Sequence, residues 1–124
     1  MNHSGNVLAF VGDAVLSLQV RSYLVSLGIT KTKTLQEKST QFVSAKAQAN
    51  FMMKLLNEDR LTEEEMVMYK RGRNAKSTSI AKNADVTTYR IATGFEALWG
   101  YLYYAKETSR LESLWQEFIE TVEL

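Results

Sequence analysis

From Val7 to Leu27 apolar residues recur at spacings of three and four. Leu8, Val11, Ala14, Val15 and Leu18 fall on one side of a helix, and Gly28 follows where a left-handed residue would end it. Thr34 with Glu37 has the spacing of a capping box. The apolar set Phe42, Val43, Phe51, Met52, Leu55 and Leu56 then carries helical periodicity to about Asn57, with Ser44 as a point where it can divide in two. A second box, Thr62 with Glu65, opens a short helix bearing Met66, Val67 and Tyr69 that Gly72 should end, and acids in its first turn suit the helix dipole. Residues 71–84, RGRNAKSTSIAKNA, show no apolar period and predict a surface loop longer than most. Asp85 can cap the next helix, with the stripe Tyr89, Ala92, Phe95, Trp99, Leu102 and Tyr103. Ser109 with Glu112 starts a last one carrying Leu111, Leu114, Trp115, Phe118 and Val122. The pattern predicts an all-α bundle of six or seven helices without internal repeats.

Composition narrows this further. The 124 residues, 45% apolar, suffice for one domain spanning the whole chain and leave no room for a second folded module. The absence of proline, with only 6 glycines, weighs against a turn-dense sandwich or barrel. The absence of cysteine excludes disulfides, thiolate metal sites and thiol nucleophiles. Asp13, Gln19 and Glu96 interrupt the apolar runs before any reaches membrane-spanning length, and the first residues lack a signal-peptide pattern. The expectation is a cytoplasmic protein with no membrane segment. Net charge is only +1, but its distribution is uneven. Lys31 to Lys82 holds 11 bases against 6 acids, whereas Lys106 to Leu124 holds 2 against 5.

The acids that break the apolar runs are the informative residues. Asp13 lies within LAFVGDAVLSL and Glu96 within ATGFEALWGYL, both in mid-helix and far from any N-terminus that could stabilise them. An ionised carboxylate buried without a partner costs several kcal/mol, so each needs a cation, a hydrogen-bond network or a raised pKa. One reading pairs each acid with a nearby base such as Arg21 or Arg90. The other notes a glycine beside each, Gly12 and Gly100, where another backbone could approach closely. If the two helices cross there, the carboxylates converge into an all-oxygen site suited to a hard cation such as magnesium. Beside a basic loop, such a site suggests phosphodiester chemistry. Periodicity alone leaves both readings open.

At these residues the sequence is similar to a known family. LAFVGDAVLSLQVR resembles the signature helix of the ribonuclease III catalytic domain, and FEALWGYLYY resembles its second motif. VSAKAQA, KRGRNAKS and DVTTYRIATGFEALWGYLY extend the resemblance over essentially the whole chain to the compact branch, mini-ribonuclease III, which lacks the double-stranded-RNA-binding domain. The resemblance implies a ribonuclease III-like helical fold, a homodimer, and magnesium-dependent (Mg2+) endonucleolytic cleavage of double-stranded RNA. For the compact branch it implies maturation of precursor 23S ribosomal RNA, with room for a ribosomal protein as a further partner. Asp13 matches the catalytic aspartate and Glu96 the catalytic glutamate, and both would hold the metal. Where the full-length family has further acids, this chain has Asn6, Ala9 and Thr93, which implies a sphere richer in water and phosphate oxygen.

A duplex-RNA binder reads shape, phosphates and 2′-hydroxyls through a basic surface. Lys70, Arg71, Arg73, Lys76 and Lys82 are the candidates for that contact, with Lys46 beside them; the competing reading is a solvated charged face. His3, the only histidine, is assigned no role. The aromatic set of Tyr89, Phe95, Trp99, Tyr101, Tyr103 and Tyr104 reads as core and partly as dimer interface rather than a base-stacking platform. Two rivals to the nuclease stand: a non-catalytic helical RNA-binding or ribosome-assembly factor, and a helical adaptor that dimerises and binds protein.

Overall fold

The computed structural model describes residues 2–76 and 85–122. These residues form six helices and no strand: α1 (Gly5–Ser26), α2 (Thr32–Val43), α3 (Ala45–Asn57), α4 (Glu63–Arg73), α5 (Val86–Tyr104) and α6 (Thr108–Thr121). The fold is all-α, as the apolar periodicity predicts. Helix α5 is its axis, packing most extensively on α1, then on α4 and α3. Leu98, Trp99, Phe95 and Leu102 of α5 are buried together with Phe51 and Met52 of α3, and with Leu114, Trp115 and Phe118 of α6. The rings interlock: Phe51 meets Phe118 edge-on at 5.2 Å, and Phe95 lies 4.5 Å from Trp99.

Several boundaries follow the side chains named above. Ser44 ends α2 and caps α3, its hydroxyl accepting from the Ala47 N–H. Thr62 and Glu65 form the complete reciprocal box on α4, and Asp85 accepts from the Thr87 N–H at the start of α5. Gly28 takes a φ of +88° just beyond α1.

Other boundaries differ from expectation. Helix α2 begins at Thr32 after Lys31, with no side-chain cap, so Thr34 and Glu37 lie inside it and no box forms. Helix α6 begins at Thr108, one residue before the expected Ser109. Lys106 takes a left-handed φ of 57° and the Glu107 N–H closes onto the Leu102 carbonyl, which fixes where α6 departs. Gly72 does not end α4. It is buried within the last turn, where a Cβ would lie 2.5 Å from that of Ala97 and 2.8 Å from the Thr93 carbonyl. It serves the close approach of α4 to α5, so Arg71–Arg73 are helical rather than loop.

The buried side of α1 also differs. The core line is Leu8, Leu16, Val20 and Leu24, with Gly5, Ala9 and Gly12 between them. Val11 and Val15 are half-buried, Ala14 is exposed, and Leu18 is 69% exposed. With Val7, Phe10 and Val25, these outward residues form a second apolar stripe on the opposite side of the helix. The small residues, not the bulky ones, mark the side that lets α5 come close. Helix α1, 22 residues with mean hydropathy 1.3, is thereby the one helix among the described residues long and apolar enough by length and composition to cross a membrane. Tyr103 is likewise exposed, turned away from the stripe expected of α5.

A polar clasp holds α6 to the α3–α4 turn. Glu65, almost fully buried, accepts from Arg110 Nε and Nη2 at 3.0 Å each while capping α4. Arg60 forks onto Glu117 at 3.0 and 2.6 Å.

Candidate active site

Helices α1 and α5 touch at paired glycines. A Cβ on Gly12 would run into the Glu96 carbonyl, and one on Gly100 into the carbonyl of Leu8. Asp13, next to Gly12, and Glu96, whose own backbone faces Gly12, are therefore carried to the same spot. Their carboxyl groups come within hydrogen-bond reach of each other. Burial, and then the neighbouring Asp13 carboxylate, push Glu96 up to about 9 from the usual 4.5. Neither acid is buried as deeply as mid-helix placement suggests: Asp13 is exposed and Glu96 half-buried, because the crossing opens to solvent at this edge. The ion pairs among the described residues lie elsewhere, so Arg21 and Arg90 do not neutralise this pair.

Sequence reasoning missed a third participant. Gln48 of α3 is 3% exposed, donates Nε2 to the Val43 carbonyl at 3.1 Å, and neighbours Glu96, whose pKa it draws slightly back down. Its Oε1 is buried with no partner among the described residues. The one signal in the sequence was its spacing, three positions before Phe51 and four before Met52, which puts it on the core side of α3. No group of three or more His, Asp or Glu side chains gathers anywhere among the described residues. Two carboxylates are nevertheless a hard, all-oxygen donor set, which fits a cation that keeps most of its waters.

The basic candidates divide. Lys70, Arg71 and Arg73 occupy the last turn of α4, where positive charge also suits the helix dipole. Arg71 donates to the His3 carbonyl at 3.0 Å, and the Arg73 guanidinium lies 5.6 Å above the Tyr69 ring. Lys76 follows in the turn and shares a cleft with Arg73, while Lys46 and Lys70 stand exposed on α3 and α4. Lys82 lies outside the described residues. Of the aromatic set, Phe95 and Trp99 are fully buried, Tyr89 and Tyr101 half-buried, and Tyr103 and Tyr104 exposed.

Comparison with known proteins agrees with this architecture. Residues 6–107 match the Ribonuclease III domain family. The chain is 60% identical over 111 residues to the mini-ribonuclease 3 of Enterococcus faecalis, covering 90% of this chain and 84% of that protein. It is 51% identical over 120 residues to the mini-ribonuclease 3 of Streptococcus pneumoniae, covering 97% and 94%. A crystal structure of a Fusobacterium nucleatum protein superposes with a TM-score of 0.84 at 32% identity, over 96% of this chain and 93% of that one. The chain belongs to the ribonuclease III family, within its mini-ribonuclease III branch, and is an endoribonuclease of that type.

Proposed function

We propose that the enzyme cleaves double-stranded RNA, with Asp13 and Glu96 holding magnesium at the α1–α5 crossing. The observation that carries this reading is the convergence of two carboxylates from opposite ends of the chain, made possible by Gly12 and Gly100. When bound, the cation lowers the pKa of a coordinated water and offsets charge building on the phosphate. The residues supply position: Asp13 from the solvent side, and Glu96 from the half-buried side, with Gln48 as its neighbour. A water oxygen joins phosphorus as the bond to O3′ breaks, leaving a 5′-phosphate and a 3′-hydroxyl. Resemblance to the compact branch supports precursor 23S ribosomal RNA as substrate, in the cytoplasm, with a ribosomal protein as a further partner. A blunt RNA duplex should be cut with magnesium and left intact with a chelator, and a single strand of the same sequence spared. Equal cleavage with chelator, or preference for the single strand, would overturn the reading.

Cutting both strands calls for two centres, which a two-fold dimer supplies. The second apolar stripe of α1, with Phe10 70% and Leu18 69% exposed, supports that side of α1 as a dimer face. Leu18→Glu should weaken the dimer roughly a hundredfold, since the residue appears twice in a symmetric interface. Its melting temperature at high concentration should stay near wild type, because the side chain lies outside the core. Sedimentation at micromolar concentration checks the first and thermal melting the second; a monomeric wild-type protein with full activity contradicts the dimer.

The raised Glu96 also makes cation-free stability depend on pH. As pH climbs through 4.5 the unfolded chain ionises at this position while the native state keeps its proton, so native stability falls progressively until about pH 9 and levels off above it. Glu96→Gln removes that loss. In chelator at pH 8 it should melt roughly 5 °C or more above wild type, and at pH 4 the two should coincide. An unchanged gap between the two pH values would refute the raised pKa of Glu96. Cation uptake near neutral pH should correspondingly release about one proton.

A further inference from the structure

Where the end of α4 faces the first turns of α5 there is a cleft of about 430 Å³, lined chiefly by Asn6, Arg73, Asn74, Lys76, Arg90 and Thr93, with no carboxylate among its described lining residues. We propose that this cleft is a phosphate site, which takes an internal phosphodiester of the RNA strand close to the one being cut; the proposal rests on reading Asp13 and Glu96 as the nuclease centre. Arg73, Lys76 and Arg90 take part in none of the ion pairs among the described residues, whereas Arg60 and Arg110 are both committed to glutamates. Three cations converging without an acid favour an anion, and guanidinium forks match phosphate geometry.

The cleft is also built rather than incidental. Gly72 brings α4 against α5, and Arg73 is held over the Tyr69 ring with its Nε donating to Asn74 Oδ1 at 3.3 Å. Asn6 Nδ2 donates to the Lys76 carbonyl at 2.9 Å, tying the turn after α4 to the start of α1. Thr93 stands one turn before Glu96 on α5, about 5 Å along the axis, so an anion seated here neighbours the carboxylate pair along the same helix. A smaller hollow lined by Arg73, Asn74, Thr87 and Arg90 lies beside the cleft.

The test measures binding in chelator, where no cleavage occurs, so it stands or falls separately from the cleavage assay. Inorganic phosphate titrated into the full chain should shift the amide resonances of Arg73, Arg90 and Thr93 at millimolar concentration, and Arg90→Gln should abolish those shifts. For a blunt RNA duplex, Arg73→Gln and Arg90→Gln should each weaken affinity about tenfold and lower the salt slope by about one, while Lys33→Gln on α2 changes neither. Duplexes ending in 5′-hydroxyl and in 5′-phosphate should bind alike. Unchanged affinity and slope in Arg90→Gln, phosphate shifts spread evenly over all surface lysines, or a requirement for the terminal 5′-phosphate would each overturn the internal-phosphodiester site.

Discussion

Asp13→Asn and Glu96→Gln should each reduce duplex cleavage at least about a thousandfold while leaving duplex binding in chelator measurable. The two carboxyl groups are within hydrogen-bond reach and no third acid joins them among the described residues, so neither loss can be made good by a neighbour. A thousandfold corresponds to about 4 kcal/mol of barrier, in the range expected when a group that fixes a catalytic cation is removed. Because the two acids act as one unit, the double variant should be scarcely worse than either single one. Single-turnover cleavage of a labelled duplex decides the matter: wild-type turnover in either variant removes the mechanism.

Gly12→Ala should cost more than about 3 kcal/mol of stability and take most of the activity with it. In an exposed helix the same change gains about 1 kcal/mol from better propensity. Here the new methyl would occupy the space of the Glu96 carbonyl, which is helix backbone and cannot step aside like a flexible side chain. The helices would have to separate, opening the contact between α1 and α5 and parting the two carboxyls. Gly100→Ala should behave similarly against the carbonyl of Leu8. Urea denaturation checks the first part and duplex cleavage the second; a Gly12→Ala protein of native stability and activity would mean that the crossing is looser than described.

The six helices were readable because their apolar residues follow a clear period and because Ser44, Thr62 and Asp85 use their side chains as caps. The start of α2 was not readable, since packing sets it and Lys31 contributes no side-chain cap. Asp13 and Glu96 stood out as acids in apolar runs, and besides the family resemblance their neighbouring glycines were the hint that they meet. Which side of α1 faces inward was hidden because the helix is apolar on two sides. Only the size of Gly5, Ala9 and Gly12, a packing property rather than a hydropathy one, separates the inner side from the outer. Gln48 escaped because α3 carries other polar residues, Lys46, Asn50 and Lys54, and only its spacing to Phe51 and Met52 sets it apart from them.

Helix α6 lies beyond the last residue of the family match, yet Glu65 depends on it for its counter-charge. A chain shortened at residue 107 would strand that carboxylate in the interior and strip Leu114, Trp115 and Phe118 from the packed rings. The folding unit is thus wider than the stretch that matches the family, and trimming to the latter would yield an insoluble product rather than a minimal enzyme.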